Sequence, residues 1–229
     1  MKVVILAGGF GTRISEYTKL IPKPMIKICG KPIITYIIKH YEKFGFKDFI
    51  IATGYKKNVI EKYFYKKNSK SNIKTIYTGL KTMTGGRIKR LQSIIGQETF
   101  MLTYGDGVSN PNLKNLLKFH KKNKNIATLT AVRPPARFGA IKISRNKVTY
   151  FKEKSHLDTG WINGGFFVFE PEIFDYINGD NTFLERQPMQ KISKKNKLGA
   201  YKHKGFWQCM DTMRDREILE KLIKKKKNL

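Results

Sequence analysis

The apolar run Val3 to Ala7 stops against Gly8-Gly9-Phe10-Gly11-Thr12-Arg13, and this junction constrains the fold more than any other stretch of the chain. Three glycines in four positions let the backbone take φ > 0 and come close to a ligand. Successive amide N–H groups can then converge on an anionic oxygen. With the hydroxyl of Thr12 and the permanent cation of Arg13 behind it, the loop reads as a phosphate cradle at the carboxyl end of a strand. It is not a P-loop, because G-x-x-x-x-G-K-[ST] is absent. Nor is it the dinucleotide fingerprint G-x-G-x-x-G, because Ile14 stands where the third glycine belongs. Taken alone, such a turn is as often a tight connection as a binding loop.

Strand-length apolar runs alternate with helix-length amphipathic stretches, which predicts an α/β fold with a largely parallel sheet. The expected strands are Lys2 to Ala7, Asp48 to Thr53, Ile73 to Tyr77, Phe100 to Tyr104 and Ile126 to Val132. Pro32 opens a helix to Phe44 with Ile33, Ile34, Ile37, Ile38 and Tyr41 on one face, and Pro111 opens another to Lys122. In such a sheet ligands collect beyond the carboxyl ends of the strands, which puts Gly8 to Arg13 and Gly105 to Gly107 on one rim. After residue 138 the strands shorten: Ala140 to Ile143, Val148 to Glu153 and Gly165 to Phe169, followed by helices over Pro171 to Asn178, Thr182 to Lys194 and Thr212 to Lys226. No linker divides the 229 residues. One domain is expected, with a first half over about 1–135 and a second, shorter-stranded half over about 136–229.

The formal charge of +29 raises a nucleic-acid reading. Against it, lysines outnumber arginines 37 to 9 and spread from end to end, whereas base-reading surfaces favour arginine forks. No nucleic-acid-binding motif accompanies the charge, so nonspecific attraction to polyanions at low salt is expected and no specific nucleic-acid partner. Cys29 and Cys209 make no disulfide framework and the four histidines share no metal-ligand spacing. No segment reads as a membrane span or a signal peptide, which leads to the expectation of a cytoplasmic protein.

Pro22-Lys23-Pro24-Met25 sets one lysine between two prolines, which fix φ on either side and should hold that stretch extended. Together with the glycine loop and Gly30-Lys31-Pro32, it resembles the signature of the nucleotide-sugar pyrophosphorylases (sugar-1-phosphate nucleotidylyltransferases). Six later blocks follow the family order across nearly the whole chain. They are Met83-Thr84-Gly85-Gly86-Arg87, Thr103-Tyr104-Gly105-Asp106-Gly107, Arg137-Phe138-Gly139-Ala140, Phe151-Lys152-Glu153-Lys154, Ile162-Asn163-Gly164-Gly165-Phe166-Phe167 and Phe206-Trp207-Gln208-Cys209-Met210-Asp211-Thr212. They are most similar to the branch that joins CTP to glucose 1-phosphate. Ser155 and Cys209 depart from it where proline is common, and the segment from Tyr65 to Thr78 is shorter than in longer members.

The resemblance implies a Rossmann-like, mostly parallel mixed sheet flanked by helices, as in nucleotide-diphospho-sugar transferases and glycosyltransferase-A-like folds. It also implies Mg²⁺-dependent transfer from CTP, or from dTTP or UTP, to a sugar 1-phosphate or another phosphorylated acceptor, and it allows a homo-oligomer. Arg13 and Lys23 would be catalytic. Leu6, Ala7, Gly8, Gly9, Gly11, Thr12, Thr82, Arg87 and Gly105 would join them in binding the nucleotide, with Arg87 facing it. Gly139, Glu153, Lys154, Asn163 and Gly164 would bind the sugar phosphate, although Asn163 before two glycines also suits a simple turn. Asp106 and Asp211 would hold the metal. On residues alone, Asp106 is equally a turn aspartate, and Asp211 or Thr212 a helix N-cap.

Overall fold

The computed structural model describes residues 1–66, 70–135, 139–153 and 160–225. Among these, the strands are β1 (Lys2–Ala7), β2 (Lys27–Ile28), β3 (Lys31–Pro32), β4 (Asp48–Thr53), β5 (Asn72–Tyr77), β6 (Phe100–Tyr104), β7 (Gly107–Ser109), β8 (Ala127–Val132), β9 (Ala140–Ser144), β10 (Lys147–Lys152), β11 (Ile162–Phe169), β12 (Leu198–Lys202) and β13 (Trp207–Cys209). The α-helices are α1 (Ser15–Thr18), α2 (Ile33–Lys43), α3 (Lys57–Tyr65), α4 (Thr84–Lys89), α5 (Gln92–Ile95), α6 (Leu113–Lys122), α7 (Gln187–Lys194) and α8 (Met213–Lys225). No helix among the described residues is long and apolar enough to cross a membrane.

Seven strands form one sheet in the order β12-β8-β11-β6-β1-β4-β5. Only β11 runs against its neighbours; the other pairings are parallel. The chain adds β4 and β5 on one side of β1 and then crosses to add β6 on the other. Strand order therefore switches at β1, and a crevice opens beyond the carboxyl ends of β1 and β6. Gly8 follows β1 and Gly105 follows β6, so the glycine loop and Asp106 do share one rim. Because β11 is antiparallel, its first residues, Ile162 and Asn163, reach that rim from the opposite direction.

Both faces of the sheet are covered, as the unbroken apolar runs require. Val4, Leu6, Ile50, Phe100 and Leu102 pack with Ile88, Leu91, Phe174, Leu184 and Ile192 on one side. The alternate residues Val3, Ile5, Phe49, Ile51 and Met101 pack against Ile34, Ile37, Ile38 and Tyr41 of α2, with Ile60, Phe64, Leu113 and Leu116 from α3 and α6. Each such side chain contributes about 1.5–3 kcal/mol on burial. A third cluster, Ile14, Ile26, Ile28, Ile33, Val108, Met210 and Leu219, anchors α8 and the loop after β1 beneath the rim.

Several expected elements end elsewhere. Lys23–Met25 is a 3₁₀ turn rather than extended chain, with Pro22 alone in the extended region, and the Met25 and Ile26 amides close it on Pro22 O and Lys23 O at 2.8 and 3.1 Å. Pro171–Tyr176 is also 3₁₀. The helix expected from Thr182 begins only at Gln187, because Thr182 O accepts the Gly85 and Gly86 amides at 2.9 and 3.2 Å. Thr182 O thus satisfies free donors at the start of α4 instead of opening α7.

Candidate active site

Two cavities open along the rim and meet at Tyr104 and Asp106. The first, about 280 Å³, lies between the Gly8-Gly9 backbone, the segment Leu80 to Thr84, and Gly105, with Leu6, Ala7, Lys23 and Phe183 also on its wall. The second, about 730 Å³, lies between Arg13, Asn163, Trp207 and Asp211.

Around the first cavity the backbone approaches too closely for side chains at several glycines. A Cβ on Gly8 would stand 2.2 Å from the Arg87 guanidinium, and one on Gly86 would stand 2.5 Å from the backbone of Asp180. Arg87 is 4% exposed. Its Nη1 donates to Thr78 Oγ1, Gly79 O and Thr53 O at 2.9, 2.7 and 3.2 Å, and its Nη2 to Gly8 O at 2.9 Å. Arg87 borders the cavity, and its two terminal nitrogens donate to Thr78 Oγ1 and to carbonyls at the ends of β1, β4 and β5, so it ties those loops together. Burial, and secondarily the charge of Arg90, hold its pKa below the usual guanidinium value against the pull of Tyr77 and Asp180.

At the meeting point of the cavities, Lys23 Nζ donates to Asp106 Oδ2 and Asp211 Oδ1, both at 2.6 Å, and Arg13 Nη1 donates to Asp211 Oδ2 at 2.8 Å. The Lys23 side chain is 9% exposed, whereas that of Arg13 is 70% exposed. Burial alone would lower the Lys23 pKa, but Asp106 and Asp211 outweigh it and the value rises. Burial would raise the Asp211 pKa, but Lys23 and Arg13 outweigh it and hold the carboxyl below the usual range. Burial first, then Asp211, Asp215 and Asp106, push the Cys209 thiol up to about 12.

The two aspartates lie far apart in sequence and are joined by two very short strands. β7 pairs antiparallel with β13, setting Cys209 opposite Gly107, and the Met210 amide donates to Asp106 O at 2.9 Å. The competing view of Asp211 as a helix cap is excluded by its neighbours. Thr212 Oγ1 accepts from the Asp215 amide at 3.2 Å, and Asp215 Oδ2 accepts from the Thr212 amide at 3.0 Å, a reciprocal box at the start of α8. Asp215 Oδ2 also accepts from the Asp211 amide at 3.1 Å. The Asp211 side chain is thereby released toward Lys23 and Arg13.

The donor set suits a hard divalent cation. Two carboxylates from opposing loops already converge on one positive charge, and Mg²⁺ characteristically takes one or two protein carboxylates and completes its shell with water and substrate phosphates. No group of three or more His, Cys, Asp or Glu side chains able to hold a metal occurs among the described residues.

The remaining expected residues divide. Gly105, Thr82, Leu6, Ala7 and Gly9 line the first cavity. Gly11 and Thr12 line neither cavity. Gly11 has φ +66°, and a Cβ there would meet Thr18 at 2.8 Å and the Lys23 Cβ at 3.1 Å, so it permits the turn that seats the lysine. Asn163 lines the second cavity and its Oδ1 also accepts from the Gly165 amide at 2.9 Å, which is the turn its sequence suggests. Gly164 is buried, and its carbonyl accepts from Trp207 Nε1 at 2.8 Å. Gly139 and Glu153 lie together at the base of the β9–β10 hairpin, a Gly139 Cβ standing 3.0 Å from Glu153 Oε2, outside both cavity walls. Lys154 lies outside the described residues, as do Arg137 and Phe138.

Sequence reasoning passed over Tyr104 and Glu185. The Tyr104 hydroxyl donates to Glu185 Oε1 between the two cavities, and Thr84 Oγ1 donates to Glu185 Oε2 at 2.7 Å. Burial and Glu185 hold the phenol protonated well above its usual range. The aromatic in Tyr104-Gly105-Asp106 was the available signal.

The sequence pattern of the nucleotidyl transferase family matches residues 2–215. Glucose-1-phosphate cytidylyltransferase of Salmonella typhi is 44% identical over 250 aligned positions, covering 99% of this chain and 97% of that protein. The probable glucose-1-phosphate cytidylyltransferase of Bacillus subtilis is 40% identical, covering 94% of this chain and 93% of its own length. Among solved structures, HddC from Yersinia pseudotuberculosis complexed with GMP-PN superposes with a TM-score of 0.77 at 25% identity, covering 97% of this chain and 99% of that one.

Proposed function

The chain belongs to the nucleotidyl transferase family, and from that premise we propose that it transfers the cytidylyl group of CTP to glucose 1-phosphate, giving CDP-glucose and pyrophosphate. The observation that carries this reading is the meeting of two cavities at Asp106, where Lys23 and Asp211 also converge. One cavity is walled by backbone suited to a nucleotide; the other opens on the acceptor side. Full-length identity of 44% to a glucose-1-phosphate cytidylyltransferase selects the substrates.

The reaction joins a phosphate oxygen of the sugar phosphate to the α-phosphorus of the triphosphate as the bond to the β-phosphate oxygen breaks. The nucleophile is already an anion, so the protein has to align two polyanions and offset their repulsion. The Gly8-Gly9 backbone, held from behind by Arg87, faces the triphosphate. Arg13 binds its pyrophosphate portion, and Lys23 meets charge developing on the α-phosphate. Asp106 and Asp211 would hold Mg²⁺, which when bound would supply Lewis-acid polarisation of the phosphate oxygens. Asn163, Gly139, Glu153 and Lys154 belong to the acceptor half, about 136–229, and the nucleotide half spans about 1–135 of a single catalytic unit. The two cysteines, both unpaired, fit a reducing cytoplasm.

Base choice rests on the segment Thr82 to Arg87, of which Thr82, Met83, Thr84 and Arg87 line the first cavity. Incubation with CTP, glucose 1-phosphate and Mg²⁺ should release pyrophosphate and form CDP-glucose only when all three are present. Triphosphate turnover that ignores the sugar phosphate would refute the reading.

A further inference from the structure

Lys23 stands where the proposed catalytic cation belongs. Its ammonium bridges one oxygen of Asp106 to one of Asp211, and Arg13 takes the other oxygen of Asp211, so three of the four carboxylate oxygens already accept from cationic donors at 2.6–2.8 Å. Two cations and two carboxylates cancel, leaving this part of the rim electrically balanced before any ligand arrives. A divalent ion entering alone would bring two positive charges against an ammonium whose side chain is only 9% exposed, a repulsion that a half-buried site screens poorly. The lysine stem is fixed by the 3₁₀ turn between Pro22 and Pro24 and packed against Gly11. Lys23 also lines the first cavity, so the ammonium borders the space in which a triphosphate would lie.

We propose that Lys23 locks the metal site of the ligand-free protein by occupying the position between Asp106 and Asp211, so that the divalent cation enters only together with the triphosphate. The proposal rests on the nucleotidyl-transfer reading above. When an anionic triphosphate fills the first cavity, it offers Lys23 a second set of acceptors, frees the two carboxylates, and brings oxygens that complete the shell of the incoming ion. One lysine therefore does two things in sequence: it excludes the ion from the empty site, then meets the α-phosphate. The lock also keeps two acidic side chains paired in the empty protein, where like charges in contact would repel.

The test is Mn²⁺ binding to the full chain without nucleotide, read as free Mn²⁺ by electron paramagnetic resonance, with thermal melts as the folding control. Wild type should bind Mn²⁺ as weakly as Asp106→Asn does. Lys23→Met keeps the aliphatic stem and removes the charge, and should bind one Mn²⁺ at least about tenfold tighter. Adding Asp106→Asn to Lys23→Met should abolish that gain. Should Lys23→Met fail to fold, Lys23→Gln and the comparison of wild type with Asp106→Asn still decide. One tight Mn²⁺ in wild type that is lost in Asp106→Asn, or no gain in a folded Lys23 variant, overturns the lock. Turnover of CTP with glucose 1-phosphate on the same preparation separates the two ideas: a missing reaction counts against the nucleotidyl-transfer reading, and the Mn²⁺ isotherms count for or against the lock.

Discussion

The two sides of the crevice are made in different ways. On the nucleotide side, Gly8, Gly54, Gly79, Gly85 and Gly86 each lie so close to another group that an added Cβ would come within 2.2–2.7 Å of it, and the buried Arg87 ties three strand ends together. On the acceptor side, the β9–β10 hairpin carries Ile141, Ile143, Val148 and Phe151 at 49–68% exposure, and Gly139 would meet only side-chain atoms of Glu153 and Phe151. A pocket walled by backbone has a fixed shape and little tolerance of substitution. An exposed hairpin beside the second cavity can change with little effect on the fold. The reaction should therefore be written in the first region and the choice of acceptor in the second.

The largest effect expected is at the seam between the two regions. Asp106→Asn or Asp211→Asn should each lower turnover by about a thousandfold or more. Melting temperature should move little for Asp211→Asn, because Thr212 and Asp215 cap α8 without it. The double variant should be scarcely worse than either single one. Parallel activity and melting measurements check this, and a melting loss that matches the lost activity would return Asp211 to a structural role.

Next comes stability on the nucleotide side. Arg87→Ala should cost about 3 kcal/mol in urea unfolding, since it removes a buried side chain and the shared donor that ties the carbonyls of Gly8, Thr53 and Gly79 together. Gly86→Ala should cost about 1–3 kcal/mol, because the added methyl meets the Asp180 backbone rather than a movable side chain. Gly139→Ala is the matched control in the acceptor region and should stay within about 1 kcal/mol, since its nearest neighbours are side-chain ends. Equal losses at Gly86 and Gly139 would erase the contrast between the two regions.

Smaller still is the change expected for Glu153→Gln. It should raise the KM for the sugar phosphate several-fold and leave the CTP KM and the melting temperature unchanged; a shift in the CTP KM instead would move Glu153 to the nucleotide side. The smallest signal is at Cys209, whose thiol, pushed up to about 12, should react slowly with iodoacetamide at pH 8. Fast labelling assigned to Cys209 by mass spectrometry would mean that the seam is more open to water than the packing around Asp211 indicates.

The nucleotide side was the more legible in sequence, because its constraints are local. A glycine cluster ending an apolar run announces a close backbone approach wherever it occurs, and β1, β4 and β6 fall at their expected bounds. What Gly85 and Gly86 approach was not legible, since Thr182 and Asp180 come from nearly a hundred residues away. The same holds for Arg87, most of whose partners are carbonyls that carry no side-chain signature. The convergence of Asp106 and Asp211 depends on β7 and β13, three residues each, too short for any periodicity to register. Resemblance to a family supplied that pairing; residue patterns could not. On the acceptor side, an exposed hairpin reads much the same whether or not it binds anything, and Gly139 and Glu153 stand beside the cavity rather than in it.

The central claim is cytidylyl transfer to glucose 1-phosphate, and a pyrophosphate-release assay crossing CTP, UTP, dTTP, GTP and ATP with a panel of sugar 1-phosphates tests it most directly. The highest kcat/KM is expected for CTP with glucose 1-phosphate, at least about tenfold above any other pair. A preference for dTTP or UTP would contradict the cytidylyl assignment and leave the reaction class standing, and absence of release with every pair would contradict the reaction itself.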